Sequence, residues 1–227
     1  MYTLVLLSGG NGKRMKKDIP KQYLLLAGKP VILHILERIN KIKEILEVII
    51  VCTSEYVSLI EQMFVQYNIT KPVKFANAGN TRQASVKSGL ELVETENVII
   101  HEAARPFVSE KDFIQLINEP YENAMYGMSI PFTVIKGHEM VEGILDRAEL
   151  VNVQLPQKFN TEVLKDAHKR AMQEKRNFTE DAGLVYYYYP DINIKICDGM
   201  TYNIKLTTSL DLIIGESIYQ EYFARRK

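Results

Sequence analysis

Residues 3–15 read Thr3-Leu4-Val5-Leu6-Leu7-Ser8-Gly9-Gly10-Asn11-Gly12-Lys13-Arg14-Met15. A short run rich in Leu and Val predicts a buried strand. The three glycines after it free the backbone, so that N–H groups can converge on a concavity at a helix start, where phosphate oxygens are well held. Lys13, Arg14 and, a little further on, Lys21 in Pro20-Lys21-Gln22-Tyr23 add positive charge. The stretch predicts a cradle for a polyphosphate at a strand-to-helix turn. Two commoner phosphate loops are excluded. A Walker A loop needs Ser or Thr after its Gly-Lys, where Arg14 stands, and the dinucleotide fingerprint needs Gly or Ala where Met15 stands.

Outward from that turn, the chain alternates. Strand-like apolar runs at 3–7, 48–53, 73–75, 98–101 and 124–131 are separated by helical patterns at 31–42, 54–67 (opening on Ser54 as a cap), 82–93 and 109–117. Such alternation with short connections predicts an α/β fold, a single doubly wound and mostly parallel sheet with helices on both faces. Ligands in such sheets bind beyond the carboxyl ends of the strands. Past Pro131 the rhythm changes: residues 132–153 hold short β-prone pieces around Gly137 and Gly143 and predict a protruding β-hairpin arm. A helix over 161–173, strands over 192–197 and 203–207 and a terminal helix over 209–222 complete the reading of one domain, 1–227.

Composition narrows the function. The 227 residues carry 28 basic and 28 acidic side chains, with no basic stripe to release counterions from DNA, so nucleic acid is not an expected partner. With 46% hydrophobic residues a substantial core can form. No apolar run approaches the ~20 residues of a membrane span, and no signal peptide precedes the first strand, so a cytoplasmic protein without a membrane partner is expected. The two cysteines, Cys52 and Cys197, stand apart in strand-like surroundings and predict buried free thiols. His101 reads as a hydrogen-bonded structural residue, and His34, His138 and His168 form no metal-ligand spacing.

Gly-Gly-x-Gly-x-Arg-Met followed closely by Pro-Lys-Gln-Tyr resembles the opening of the cytidylyltransferases that act on 2-C-methyl-D-erythritol 4-phosphate and on ribitol 5-phosphate. Further segments match in order. Gly79-Asn80-Thr81-Arg82-Gln83-Ala84-Ser85-Val86 resembles the family's cytosine-holding loop, His101-Glu102-Ala103-Ala104-Arg105-Pro106 its strand-end acid, and Thr179-Glu180-Asp181-Ala182 and Asn203-Ile204-Lys205-Leu206-Thr207 two later segments. Glu102, Leu155 and Glu180 depart from the family pattern, and the arm is shorter than in the relatives compared.

The resemblance implies a Rossmann-like nucleotidyltransferase that uses CTP and magnesium. On it, Ser8, Gly9, Gly10, Gly12, Lys13, Gly79, Asn80, Ser85 and Ala103 hold the nucleotide, Glu102 holds the metal, and Arg14, Lys21 and Lys205 stabilise charge at the α-phosphate. Thr133 and Arg147 grip the acceptor's phosphate from an arm exchanged within a homodimer. Arg105 either steers the acceptor phosphate or pairs with a neighbouring acid. The residues leave the acceptor open between methylerythritol 4-phosphate, ribitol 5-phosphate and another polyol phosphate. A transferase acting on a sugar 1-phosphate or molybdopterin, and a nucleotide-binding regulator without turnover, are the competing readings.

Overall fold

The first strand, β1 (Tyr2–Leu7), sits near the middle of the sheet because it is apolar on both faces: Leu4, Val5 and Leu6 are all fully buried. Leu4 and Leu6 point into one core and Val5 into another, the alternation of a strand covered on both sides. The computed structural model describes residues 1–10 and 19–224. Parallel to β1 on either side run β4 (Ile45–Cys52) and β6 (Asn97–Glu102), and β5 (Val73–Asn77) extends the sheet beyond β4. Two minor strands, β2 (Leu25–Leu26) and β3 (Lys29–Pro30), form a small separate ribbon.

The other half holds β7 (Asn123–Ser129), β10 (Val151–Asn160) and β11 (Ile194–Asp198), giving the order β11-β7-β10-β6-β1-β4-β5. Helices α1 (Val31–Ile39), α2 (Val57–Gln66) and α4 (Glu110–Asn118) pack Ile32, Leu36, Ile60 and Phe113 on one face. On the other, α3 (Arg82–Leu90), α5 (Thr161–Gln173) and α6 (Asp181–Tyr188) contribute Val86, Leu164 and Val185. The last helix, α7 (Ser209–Tyr219), starts with a reciprocal Thr208–Asp211 capping box and continues as a π-helical turn over Gln220–Ala224. Among the described residues no helix is long and apolar enough to cross a membrane. The predicted doubly wound sheet is present, and both cysteines are buried free thiols.

Three sequence expectations differ from the fold. Residues 151–160 form β10, antiparallel to both neighbours, although 151–153 read as part of the arm in the sequence. The strand accommodates Pro156 at a bulge, where the register with β7 shifts between Gln154 and Gln157, so no ladder donor is needed there. Residues 203–207 are extended but join no sheet. Ser54 opens a short 3-10 turn and supplies no side-chain cap.

The arm is a two-stranded hairpin, β8 (Val134–Gly137) against β9 (Val141–Leu145). Gly137 has φ +148°, and a Cβ there would stand 2.1 Å from the Met140 carbonyl oxygen, so the turn requires glycine.

Candidate active site

The carboxyl ends of β1, β4, β5 and β6 converge on one cleft of about 580 Å³, as the doubly wound topology requires. From β1 come Ser8, Gly9 and Gly10, from β4 Thr53, from the loop after β5 Ala78 to Arg82, and from β6 Glu102 and Ala104. Lys21, Gln22, Lys205 and Thr207 close the rim. Packing explains the glycines: a Cβ on Gly9 would lie 2.3 Å from the Ala78 Cβ, and one on Gly79 2.5 Å from that of Ala84. The two loops therefore approach each other at backbone distance, leaving their N–H groups near the cavity.

Gln22 is a functional residue that the sequence reading passed over. Buried in the 3-10 turn Lys21–Tyr23, it donates from Nε2 to the carbonyls of Ser8 (2.5 Å) and Gly10 (3.2 Å). Tyr23 adds a hydroxyl contact to Ser8 Oγ at 3.2 Å and stacks on Tyr56. These bonds tie the Lys21–Tyr23 turn to the glycine loop on the rim of the cleft. Gly79 and Ser85 are likewise tied, the Gly79 N–H donating to Ser85 Oγ at 3.0 Å.

Charge concentrates at Glu102, which is 7% exposed. Lys205 Nζ lies 2.7 Å from Oε2, Arg82 Nε donates to Oε1 at 3.2 Å, and Arg105 Nε stands 3.8 Å from Oε2. Burial alone raises a carboxyl pKa, but Lys205 and Arg82, with Arg105 behind them, outweigh it and hold Glu102 at about 2. The Lys205 ammonium thus holds Oε2 as a close ion pair. Lys205 is placed without a ladder. The Leu206 N–H donates to the Ala104 carbonyl (2.8 Å), and Asn203 Nδ2 donates to the Leu155 carbonyl (2.7 Å).

Arg82 was quoted in the sequence motif but given no role. It is the first residue of α3, where a cation opposes the helix dipole, and that mismatch was the available signal that carboxylates must face it. It has two: Glu102, and Asp181 Oδ2 at 2.7 Å from Nη2. Asp181 is 1% exposed and also meets His168 Nε2 at 3.1 Å. Burial would raise the Asp181 pKa, but Arg82 and His168 bring it down to about 2.

The sequence-predicted residues divide into groups. Ser8, Gly9, Gly10, Lys21, Gly79, Asn80, Ser85, Glu102 and Lys205 share the cleft. Ala103 does not. It is fully buried, and its N–H donates to the Leu7 carbonyl at 3.0 Å; in the turn that follows β6 it is Ala104 that lines the cleft. Arg105 pairs with Glu102 and donates to the Asn203 carbonyl at 2.9 Å, which is the loop-fixing alternative. Thr133 and Arg147 lie on the exposed arm outside this cleft, where Arg147 donates to the Pro131 carbonyl at 2.6 Å. Gly12, Lys13 and Arg14 lie outside the described residues. His101 is fully buried on the Arg105 carbonyl, and burial lowers its pKa to about 3, so it remains a neutral structural residue.

A glycine-lined cleft at the strand ends of a parallel sheet, ringed by Lys21, Arg82 and Lys205, defines a nucleotidyltransferase of the α/β class. Residues 2–221 match the family 2-C-methyl-D-erythritol 4-phosphate cytidylyltransferase, and the chain belongs to that family. The enzyme of that name from Alkaliphilus metalliredigens is 36% identical, over 96% of this chain and 93% of its own. The chloroplastic enzyme of rice, Oryza sativa, is 35% identical over 96% of this chain and 74% of its own. In fold, the chain resembles the 4-diphosphocytidyl-2C-methyl-D-erythritol synthase of Anaerococcus prevotii, with a TM-score of 0.85, 24% identity and 96% of each chain covered. These relatives favour the methylerythritol branch over the ribitol, sugar 1-phosphate and regulator readings.

Proposed function

We propose that this chain transfers the cytidylyl group of CTP to 2-C-methyl-D-erythritol 4-phosphate, releasing pyrophosphate. The observation that carries the reading is the Glu102–Lys205 pair at the mouth of the glycine cradle, in a chain of this family. The acceptor is a phosphate monoester with a second pKa near ~6, largely ionised at neutral pH, so the attacking oxygen needs no general base. Catalysis then rests on alignment and on neutralising charge at the α-phosphate as the leaving group departs in line.

In this reading the Gly9 and Gly10 backbone, held by Gln22, takes phosphate oxygens, and the loop from Gly79 to Ser85 takes the cytosine. Lys21 and Lys205, together with Arg14, neutralise the transition state. Glu102 keeps Lys205 aimed at the cleft until a phosphate competes for it.

Among the described residues no cluster of three or more His, Cys, Asp or Glu is placed to hold a metal ion. A magnesium ion arriving with the triphosphate needs only one or two protein carboxylates, and Glu102, the acid that lines the cleft, would hold it in exchange for its contact with Lys205. Bound there, the ion would supply charge neutralisation across the phosphates.

The acceptor's phosphate falls to Arg147 and Thr133. In a protomer on its own both lie on the exposed arm, so a homodimer in which each arm serves the other subunit belongs to the same proposal, as does a cytoplasmic location. The test is pyrophosphate release with CTP and magnesium, run in parallel with methylerythritol 4-phosphate and ribitol 5-phosphate. Release with the first alone is the expected result; release with ribitol 5-phosphate alone overturns the acceptor assignment, and silence with both overturns the activity.

A further inference from the structure

From the cleft inward, oppositely charged groups form one line: Lys205, Glu102, Arg82, Asp181 and then His168 on α5. Its inner half is buried: Asp181 and His168 are each 1% exposed. Burying an ionised carboxylate is costly without charged and hydrogen-bonded partners. Asp181 has both, Arg82 on Oδ2 and His168 on Oδ1. Because an ionised carboxylate only accepts, Nε2 of His168 must carry the proton it shares with Asp181. Nδ1 of His168 has no partner among the described residues, so nothing else there competes for the ring.

Local sequence fixes the Asp181 end. Glu180 caps α6 by accepting from the Ala182 and Gly183 N–H groups, and Gln157 Nε2 braces its carboxylate at 3.3 Å. A Cβ at Gly183 would meet Glu180 Oε1 at 2.3 Å, so a larger residue there would make the capping carboxylate shift. Asp181 is thereby the first residue of α6, rigidly placed, and faces the first residue of α3.

We infer that Asp181, held by His168, is a positioning residue for the transfer reaction: it takes Nη2 of the Arg82 guanidinium, so that the neighbouring Nε meets Glu102 on one oxygen only, leaving Oε2 for Lys205. A guanidinium freed from Asp181 has its whole fork available for bidentate pairing with Glu102. That pairing would draw Oε2 off Lys205 and misplace the cation at the α-phosphate. Neither Asp181 nor His168 lines the cleft, so their effect passes through Arg82.

This inference rests on the proposed reaction, and a variant series separates the two. Steady-state kinetics are measured with CTP and methylerythritol 4-phosphate on Asp181→Asn, His168→Leu and His168→Gln, at a temperature where circular dichroism shows each folded. Asp181→Asn is expected to lower kcat about 30-fold with KM for CTP within about threefold, since the glycine cradle is untouched. His168→Leu should lower kcat about tenfold, while His168→Gln, whose amide can still donate to Oδ1, should return it to within about threefold of wild type. The double variant Asp181→Asn with His168→Leu should be no slower than Asp181→Asn alone, because the two act in series. Equal loss in His168→Gln and His168→Leu, or loss that appears in KM for CTP and not in kcat, overturns the positioning role. If Asp181→Asn fails to fold, the His168 pair decides alone. Wild-type enzyme without turnover overturns the reaction and this inference together, whereas active wild type with unaffected variants overturns the inference only.

Discussion

The cleft and the arm are built in opposite ways. At the cleft, charged groups are buried and engaged: Glu102 contacts three cations, Arg82 bridges two carboxylates, and Asp181 is 1% exposed. Along the arm the apolar groups are the exposed ones, with Phe132 at 77%, Met140 at 82% and Ile144 at 84%. A two-stranded ribbon has too little core to be stable by itself, and an exposed apolar stripe of this kind usually marks an interface. Among the described residues the cleft thus has its charges internally paired, whereas the arm leaves its apolar groups uncovered. Substitutions in the first region should therefore change chemistry or stability, and those in the second should change association and acceptor use.

The largest expected effect is in the cleft. Lys205→Ala should lower kcat about 100- to 1,000-fold, in line with loss of a preorganised charge at a transition state, measured as pyrophosphate release. A near-normal rate removes Lys205 from the mechanism. Next comes the arm: Arg147→Ala should raise KM for the acceptor about 10- to 100-fold, the loss of a charge-assisted hydrogen bond, and leave KM for CTP unchanged. An effect on CTP instead would erase the division between the two regions.

Acid titration probes the buried network directly. Glu102 and Asp181 have folded pKa values of about 2, below the ~4.3 and ~3.9 of unfolded chains. Their contribution is present above those unfolded values and is lost as pH falls from roughly 4 towards 2. His34 and His101 are also depressed, chiefly by burial, to about 4 and about 3, so they withdraw stability in a higher window that opens as pH falls below ~6.5. Urea unfolding at pH 7, 5 and 3 should show both steps, and Glu102→Gln should flatten the lower one alone. An unchanged profile in that variant would mean the ion pairs add nothing net.

The smallest effect belongs to the arm surface. Ile144→Ser should alter protomer stability by less than about 0.5 kcal/mol, because nothing in the protomer covers it. The same change should weaken a homodimer, measured by sedimentation. Unaltered association would place the interface elsewhere.

Much of the cleft was legible because its signals are local. Glycines at 9, 10 and 79 and the strand-end acid at 102 each follow an apolar run, the lysine at 21 follows the glycine loop closely, and strand-end loops meet in a doubly wound sheet whatever else the chain does. Elsewhere local signals were too weak. The start of β10 read as arm, and only the pairing with β7 creates the bulge that accommodates Pro156. Ala103 and Ala104 are indistinguishable in the motif, and only the folded turn after β6 decides which of them faces the cavity.

The sequence by itself therefore determined the α/β class, the glycine cradle and the presence of a separate arm, each from residue types within a few positions of one another, through periodicity, backbone freedom and charge. The acid at 102 and the lysine at 205 were legible only through the family resemblance of their segments. Only the tertiary structure decided that Arg82 joins Glu102 to Asp181, that His168 lies behind them and that Gln22 holds the glycine loop. Those contacts link residues 12 to 99 positions apart, and no local rule predicts which buried charges will meet across a folded core.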